Sequence, residues 1–348
     1  MKHNALNAFM AALLTAILSW MPVTSLQAQT VDTLDVLHYD LRLDVGHLQP
    51  NTLQGVARLD VALLTPTNSV CLDMSQATVD SVLLEGEGAA SFTYDGRHLL
   101  VNVGSRHAGD LLTLAVHYRT PGYVESYGWG GFHFNSQIHY NLGVAFSETP
   151  HGIGRAWFPC HDSFTDKATY TCTYTAPVGW TTTASGLSDT AYLNPDGSET
   201  SVWTLSHATP TYLISLSCGP FHYLRTLTQG LHGTYPTTIA YGTQDSSAVA
   251  RAFAKLVAVV PMYERCFGPY RWGTIGYTGT PQGSMEHVNN ISLANSAMTS
   301  MSEEMQSMVA HELSHAWFGN LVTCASSLDM WINEGGASFC EEVAWEAL

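Results

Sequence analysis

The chain has 348 residues and carries 29 acidic against 13 basic side chains, which gives a formal net charge of −16 with the histidines neutral. This balance argues against a nucleic-acid partner, because nucleic-acid binding needs a basic patch, and no basic amphipathic helix is present for an anionic membrane surface. The length suggests about two domains. The seven cysteines include no C-x-x-C pair, so a cysteine zinc site is not indicated, and most are expected to be small buried residues.

Residues 1–28 have the features of a secretory signal peptide. Lys2 precedes a short apolar run over residues 9–20, and Leu26-Gln27-Ala28 fits a cleavage site before Gln29. The run is too short to span a bilayer, although an N-terminal membrane anchor is the alternative interpretation. No cysteine follows the run that could carry a lipid. We therefore expect an exported chain without a membrane anchor, either periplasmic or secreted.

Residues 31–225 read as β-strands separated by turns rich in Gly, Asn, Asp and Pro. Strict alternation marks the first strand, whose inward-facing residues are predicted to be Leu37, Tyr39, Leu41, Leu43 and Val45. Further strands are predicted at residues 53–64, 111–118, 138–146, 168–175 and 212–218. No helix of convincing length is expected here, so residues 29–228 are predicted to form an antiparallel β domain.

The pattern changes to helices after residue 242. A helix is predicted over residues 246–267, with a kink at Pro261 and an end at Gly268. A short strand at residues 274–278 follows, and a second helix is predicted between residues 300 and 318. A loop at residues 323–329 leads to a last helix from about Trp331.

The central motif is H-E-L-S-H at residues 311–315. On a helix, His311 and His315 share a face and can bind one metal ion, while Glu312 lies beside that face and can contact a water without binding the metal. Glu334 follows His315 by 19 positions, which suits a third zinc ligand on a following helix. The alternative is an ordinary amphipathic helix, but its apolar stripe lies opposite the two histidines.

Four segments together resemble the aminopeptidase N family of zinc metallopeptidases, which includes the leukotriene A4 hydrolase branch. They are H-E-L-S-H with the following W-F-G-N-L-V-T, W-I-N-E-G at 331–335, G-S-M-E at 283–286, and R-A-W-F-P-C-H-D at 155–162 with K-A-T at 167–169. The resemblance implies an α+β architecture. An N-terminal antiparallel β saddle domain over residues 29–228 would be followed by the first part of a thermolysin-like zinc peptidase domain over residues 229–348.

The resemblance also implies roles for individual residues. One Zn²⁺ per chain would be held by His311, His315 and Glu334. Glu312 would be the catalytic base that takes a proton from a zinc-activated water and passes it to the leaving amine. The motif of Gly283, Met285 and Glu286 would bind the substrate, with Glu286 on its free α-amino group and the strand before it pairing with the peptide.

Three features depart from the family pattern. His287 replaces the asparagine that usually ends the substrate motif. The position of a second amine-binding Glu or Gln falls on Pro150, with Glu148 and His151 as alternative substitutes. No tyrosine follows the zinc helix to match the family's oxyanion-stabilising tyrosine, and Tyr241, Tyr263, Tyr270 and Tyr277 all precede it.

The resulting hypothesis is an exported zinc aminopeptidase that removes N-terminal residues from peptides with a free N-terminus. Because the chain ends soon after Glu334, we expect a fragment of a longer product. The alternative is a non-catalytic zinc-binding fragment or pseudoenzyme that acts as a binding module. A peptidase without a strict need for a free amine is a third interpretation. The sequence predicts neither the preferred N-terminal residue nor the oligomeric state.

Overall fold

The computed structural model describes residues 32–347, so the predicted signal peptide lies outside the described residues. In chain order the strands are β1 (Leu34–Val45), β2 (Leu53–Leu63), β3 (Thr67–Asp73), β4 (Thr78–Leu84), β5 (Gly88–Ala89), β6 (Phe92–Tyr94), β7 (His98–Arg106), β8 (Leu111–Thr120), β9 (Gly131–Phe134), β10 (His139–Leu142), β11 (Ala168–Ala176), β12 (Thr181–Ala184), β13 (Leu187–Leu193), β14 (Glu199–Thr209), β15 (Leu216–Gly219), β16 (His222–Gln229), β17 (Thr234–Tyr241), β18 (Ile275–Thr280) and β19 (Ile291–Ala294). The α-helices are α1 (Ser246–Ala252), α2 (Leu256–Phe267), α3 (Glu303–Ser314) and α4 (Met330–Trp345).

The largest sheet has the strand order β13-β14-β11-β1-β2-β8-β4-β5. Its pairs are antiparallel except for β1 with β11, which run parallel. The predicted inward position of Leu37 is wrong, since this side chain is 44% exposed. The register between β1 and β2 shifts between Val36 and His38, and this irregularity turns Leu37 outward while Val36 and Tyr39 stay buried.

Two smaller sheets, β3-β7-β6 and β12-β15-β10-β9, complete the β-rich part. Their strands are shorter than the sequence predicted. The predicted strand at residues 138–146 is reduced to β10, and the one at 212–218 becomes a 3-10 turn at Thr211–Leu213 followed by β15. Helices before residue 246 are limited, among the described residues, to short 3-10 turns. The predicted α+β class, a mostly β part followed by a part that carries the α-helices, is confirmed.

The fourth sheet has the order β16-β17-β18-β19 and carries the helices. The predicted domain boundary at 228/229 falls inside β16, which pairs along its length with β17. The predicted helix 246–267 is divided into α1 and α2 at residues 253–255, whereas Pro261 lies inside α2 and does not end it. At this break the chain makes two tight turns, in which Ala254 N–H donates a hydrogen bond to Arg251 O and Leu256 N–H donates one to Phe253 O.

Hydrogen bonds from buried tyrosine side chains hold α3 in position. The hydroxyl of Tyr277 in β18 donates to Val309 O at 2.9 Å, and that of Tyr263 in α2 donates to Ala310 O at 3.1 Å and to Cys340 O in α4 at 2.9 Å. Ser302 caps the N-terminus of α3, and its hydroxyl accepts from Met305 N–H at 3.4 Å. These contacts hold α3 and α4 side by side over the sheet.

No helix of the described residues is long and apolar enough to cross a membrane. All seven cysteines are free thiols, and four of them, Cys160, Cys172, Cys218 and Cys340, are buried as small core residues.

Candidate metal centre

The three predicted metal ligands meet where α3 ends and α4 begins. His311 lies in the last turn of α3, His315 follows as its C-terminal cap, and Glu334 is in the first turns of α4. The Oε2 atom of Glu334 lies 3.3 Å from Nε2 of His311 and 3.8 Å from Nε2 of His315. The structure therefore brings together the ligand set that the sequence predicted.

Hydrogen bonds turn the two imidazoles toward this meeting point. Nδ1 of His315 lies 2.8 Å from Phe318 O and 2.7 Å from Asn333 Oδ1. A carbonyl oxygen can only accept, so Nδ1 carries the proton and Nε2 keeps its lone pair. Nδ1 of His311 lies 2.8 Å from Glu341 Oε1, which orients that ring in the same way. Such outer partners fix the tautomer of metal-binding histidines.

The chemistry and spacing of these donors fit zinc. Zinc takes histidine nitrogen and carboxylate oxygen at about 2.0–2.2 Å in a tetrahedron, so its ligand atoms lie about 3.3–3.6 Å apart. The three donor atoms of His311, His315 and Glu334 all lie within 4.8 Å of one another. A second trio, Glu286, Glu312 and His315, meets the same distance limit. Only the first trio combines two oriented imidazoles with a carboxylate, the composition of a catalytic zinc site.

Glu312 is a buried carboxyl beside the ligands, with 8% of its surface exposed. Burial raises the pKa of Glu312 to about 8, with His315 opposing this shift and Glu286 adding to it. At His311, burial lowers the pKa, but the hydrogen bond that its ring donates to Glu334 and the charge of Glu312 outweigh it and raise the pKa to about 9. Protons and a metal ion would therefore compete for the same histidine nitrogen.

The segment G-S-M-E reaches the centre from the sheet. Met285 exchanges two backbone hydrogen bonds of 3.0 Å with Ser292 in β19. Gly283 has a φ of 71°, and a Cβ there would meet Trp129 Nε1 at 2.5 Å, so both its backbone and its surroundings require glycine. Glu286, 4% exposed, is held by Asn320 Nδ2 on its carbonyl at 2.9 Å and by Asn333 Nδ2 on its Oε1 at 3.1 Å.

Two expectations about this segment change. The strand before it, β18, cannot pair with a peptide, because β17 and β19 occupy both of its edges. His287 does not face the metal centre: its ring is fully buried, with Nδ1 3.2 Å from Ser292 Oγ and Nε2 3.4 Å from Asn141 Nδ2. Burial lowers the pKa of His287 to about 3. The neutral ring is thus held by Ser292 and Asn141 and is not among the residues that line the cleft at the metal centre.

An open cleft of about 500 Å³ lies in front of the metal centre. It is lined by Trp129, Val144, Ala145, Phe146, His151, Ser284, Met285, Glu286, His311, Glu312, His315, Ser327, Met330 and Glu334. The Trp129 and Phe146 rings pack 4.9 Å apart on one wall. No tyrosine is among the described residues of this lining, and the hydroxyls of Tyr263, Tyr270 and Tyr277 bond to backbone carbonyls instead.

Sequence reasoning missed Asn333 and the aromatic wall. Asn333 stands inside W-I-N-E-G, next to a predicted ligand, and this adjacency was the available signal. Trp129 and Phe146 come from loops of the β-rich part, where no spacing rule connects them with the metal motif. The structure also separates Glu148 from His151, since only His151 lines the cleft.

Comparisons with known proteins agree with this geometry. Residues 36–213 match the Peptidase M1 N-terminal domain, and residues 253–348 match the Peptidase family M1 domain. Aminopeptidase B of Mus musculus is 26% identical over 334 residues, covering 88% of this chain and 49% of that protein. Aminopeptidase N of Lactococcus lactis subsp. lactis is 27% identical over 349 residues, covering 94% of this chain and 39% of that protein. The chain thus spans about half the length, or less, of these curated relatives.

Solved structures give the same result. The M1 zinc metallopeptidase from Deinococcus radiodurans is similar with a TM-score of 0.78 at 26% identity, over 90% of this chain and 71% of that chain. A mutant of that enzyme bound to a Tyr-Ser-Ala substrate gives a TM-score of 0.77 at 26% identity, with the same coverage. The resemblance drawn from the four sequence motifs is confirmed. The chain therefore belongs to peptidase family M1.

Proposed function

We propose that this chain acts as a zinc-dependent aminopeptidase that removes N-terminal residues from peptides. The observation that carries the proposal is the convergence of two kinds of site in one cleft. A set of three metal ligands lies beside Glu312, a buried carboxyl outside the set, and beside Glu286, a second buried carboxyl. Peptide hydrolysis needs the first arrangement, and recognition of a free amine needs the second. Membership of a family whose relatives include aminopeptidases B and N supports the same function.

His311, His315 and Glu334 would hold the zinc ion. When bound, zinc would polarise the scissile carbonyl and stabilise the negative charge that develops on its oxygen. Glu312 would accept a proton from the attacking water and then donate it to the leaving amine. Its buried place beside the donor atoms of His315 and Glu286 suits both steps, because a water on the metal would lie within reach of this carboxylate.

Glu286 would bind the substrate α-ammonium group. The carboxylate is 4% exposed, so an unpaired charge there is costly and an incoming cation is favoured. Asn333 and Asn320 hold the side chain and the backbone of this residue in place. An N-acetylated peptide has no such cation and would bind poorly.

The apolar wall of Trp129 and Phe146 suggests the substrate class. Apart from histidines, the cleft lining contains no basic side chain among the described residues, and Met285 and Met330 add further apolar surface. We therefore expect large apolar or aromatic N-terminal residues to be preferred. A mutant of the Deinococcus radiodurans enzyme was crystallised with Tyr-Ser-Ala, and a mutant two-domain M1 zinc metallopeptidase was crystallised with L-tryptophan, which is consistent with this preference, and also with L-arginine.

We also propose that the protein is exported to the periplasm or secreted. The support is the N-terminal sequence, with its apolar run and the cleavage site before Gln29. N-terminal sequencing of the native protein tests this directly. A mature chain that begins at Gln29 is expected, and a chain that keeps its first 28 residues would contradict export by this route.

The decisive assay is hydrolysis of chromogenic aminoacyl amides by the chain loaded with one equivalent of zinc. Each substrate is paired with its N-acetylated form, and Glu312→Gln is the control. We expect cleavage of the free-amine substrates alone, abolished by a chelator and reduced about 10²- to 10⁴-fold in the variant, the usual contribution of a general base. Zinc binding by calorimetry should stay unchanged in Glu312→Gln, because this residue is not a ligand.

Two outcomes would change the conclusion. Equal cleavage of free and acetylated substrates would show a zinc peptidase that does not need the amine, and would remove the role of Glu286. Stoichiometric zinc binding without cleavage would favour the non-catalytic binding module that the sequence also allowed.

A further inference from the structure

We infer that Glu125 is a positioning residue that sets the preference of the cleft for large apolar N-terminal residues, because it holds the aromatic wall of Trp129 and Phe146 in place. The inference rests on the proposed aminopeptidase function and adds to it a residue that does not line the cleft itself. Glu125 lies between β8 and β9 and is 2% exposed. Its carboxylate forms no ion pair with any residue that the structure describes, so its charge is balanced by hydrogen bonds alone.

The carboxylate of Glu125 joins two loops. Its Oε1 accepts from Gly130 N–H at 3.1 Å and from Phe146 N–H at 3.0 Å. Its Oε2 accepts from the backbone N–H of Ser147 at 2.6 Å and from the hydroxyl of Ser147 at 2.5 Å. Gly130 precedes β9, whereas Phe146 and Ser147 follow β10. One buried side chain therefore fixes two loops relative to each other.

These two loops carry the aromatic wall. Trp129 is adjacent to one of the four donors and Phe146 is itself another, and the centroids of their rings lie 4.9 Å apart. The wall also contacts the substrate motif, because Gln282 Nε2 donates to Gly128 O at 2.7 Å and a Cβ on Gly283 would meet Trp129 Nε1 at 2.5 Å. A shift of either loop would therefore move the wall relative to the segment that binds the substrate.

The hydrogen bonds explain why a charged side chain suits this position. Burial raises the pKa of Glu125, but the hydrogen bonds from Ser147, Phe146 and Gly130 outweigh it and lower the pKa. The side chain is thus an anion near neutral pH, and an anion is the stronger acceptor. Glutamine keeps the volume but replaces one oxygen with an NH2 group, which cannot accept. One pair of donors would then lack its acceptor, and the loop that carries this pair would be released.

The test measures kcat and KM of the zinc-loaded full chain on phenylalanyl and alanyl 4-nitroanilides. In Glu125→Gln we expect kcat/KM for the phenylalanyl substrate to fall about tenfold, a partial loss of the burial of one aromatic side chain. The loss should lie in KM, because the wall contacts the ground state and the transition state alike. The alanyl side chain is too short to reach the wall, so cleavage of this substrate should stay at the wild-type rate.

A double variant shows whether Glu125 acts through the wall. Phe146→Ala removes one of the two rings that Glu125 holds in place. Adding Glu125→Gln to it should therefore lower kcat/KM for the phenylalanyl substrate little further than the single substitution does. Two independent losses of about tenfold would instead multiply to about 100-fold, which is the result of a general structural defect.

Glu264→Gln is the matched control. Glu264 is also a 2% exposed carboxylate that accepts hydrogen bonds from backbone N–H groups, but it lies outside the cleft lining. Its substitution should leave the ratio of phenylalanyl to alanyl kcat/KM unchanged. Thermal unfolding shows whether each variant is folded. If Glu125→Gln is not, Ser147→Ala removes one of the four donors and should lower the same ratio about threefold.

Each remaining outcome has a defined meaning. An unchanged ratio, an equal loss for both substrates, or a 100-fold loss in the double variant would overturn the role of Glu125 and leave the proposed function intact. A wild-type chain that cleaves both substrates equally well would overturn the role of the aromatic wall and of Glu125 alone. A wild-type chain that cleaves neither would overturn the proposed function, and the inference with it.

Discussion

Asn333 connects the two halves of the proposed active site, and replacing it should damage both. Its Oδ1 accepts from His315, one of the three proposed zinc ligands, at 2.7 Å, and its Nδ2 donates to Glu286 at 3.1 Å. The side chain is 2% exposed, so water cannot replace either bond. We predict that Asn333→Leu, which has a similar volume and no polar atoms, weakens zinc binding and amine recognition together.

The expected loss of zinc affinity and of amine preference follows from the hydrogen bonds that His315 and Glu286 keep in the Asn333→Leu variant. His315 keeps its hydrogen bond to Phe318 O, so zinc affinity should fall by about tenfold, the low end for loss of an outer partner. Glu286 loses a donor that orients its carboxylate, and the preference for a free amine should fall by about tenfold as well. With zinc saturating, the loss of amine recognition alone should lower kcat/KM about tenfold, or about 1.4 kcal/mol of transition-state stabilisation.

Two single-effect variants give the comparison. Glu286→Gln should lose amine preference alone, and Glu341→Ala, which removes the partner of His311, should lose zinc affinity alone. Zinc affinity is measured by competition with a chelating dye, and amine preference by free against acetylated substrates. The connecting role of Asn333 would be refuted if the Asn333→Leu variant is folded, as judged by thermal unfolding, and its zinc affinity and amine preference both stay within about threefold of the wild-type values.

Three further predictions concern the frame and the cleft. At Glu264, burial raises the carboxyl pKa, but hydrogen bonds from Tyr235 and from backbone amides outweigh it and lower the pKa. The stability that this group contributes is therefore complete above the unfolded-state pKa of about 4.3 and is lost as the pH falls below it. Thermal unfolding between pH 3 and 7 should show that Glu264→Gln loses less stability on acidification than the wild-type chain. Arg155→Ala should lower the free energy of unfolding by about 3–5 kcal/mol, because it leaves the buried carboxylate of Asp162 without its ion-pair partner at 2.7 Å. Denaturant unfolding measures this change, and a decrease below about 1 kcal/mol would contradict the prediction. Phe146→Ala should lower kcat/KM about tenfold for phenylalanyl substrates and leave alanyl substrates unchanged, since only the large side chain reaches the aromatic wall, and an equal loss for both would argue against that wall as the side-chain site.

Local patterns were enough to predict which three candidate ligands the fold brings together, and much of the β-rich part. The two histidines of α3 share a helix face by spacing alone, and β2, β8 and β11 follow from alternation within each strand. Errors arose where a distant partner decides the outcome. Leu37 faces outward because β1 shifts its register against β2, and the sequence of β1 alone does not predict that shift.

The site shows the same division between neighbouring and distant contacts. Glu334 could be assigned because its distance along the chain from His315 is characteristic, but Asn333, one residue earlier, could not. Adjacent residues on a helix point about 100° apart, so Glu334 faces α3 while Asn333 also reaches Glu286, 47 residues away. That role depends on where β19 places the segment ending at Glu286, which is a property of the folded sheet. The amine-binding half of the site is therefore the half for which the structure adds most, and substitution of Asn333 tests it.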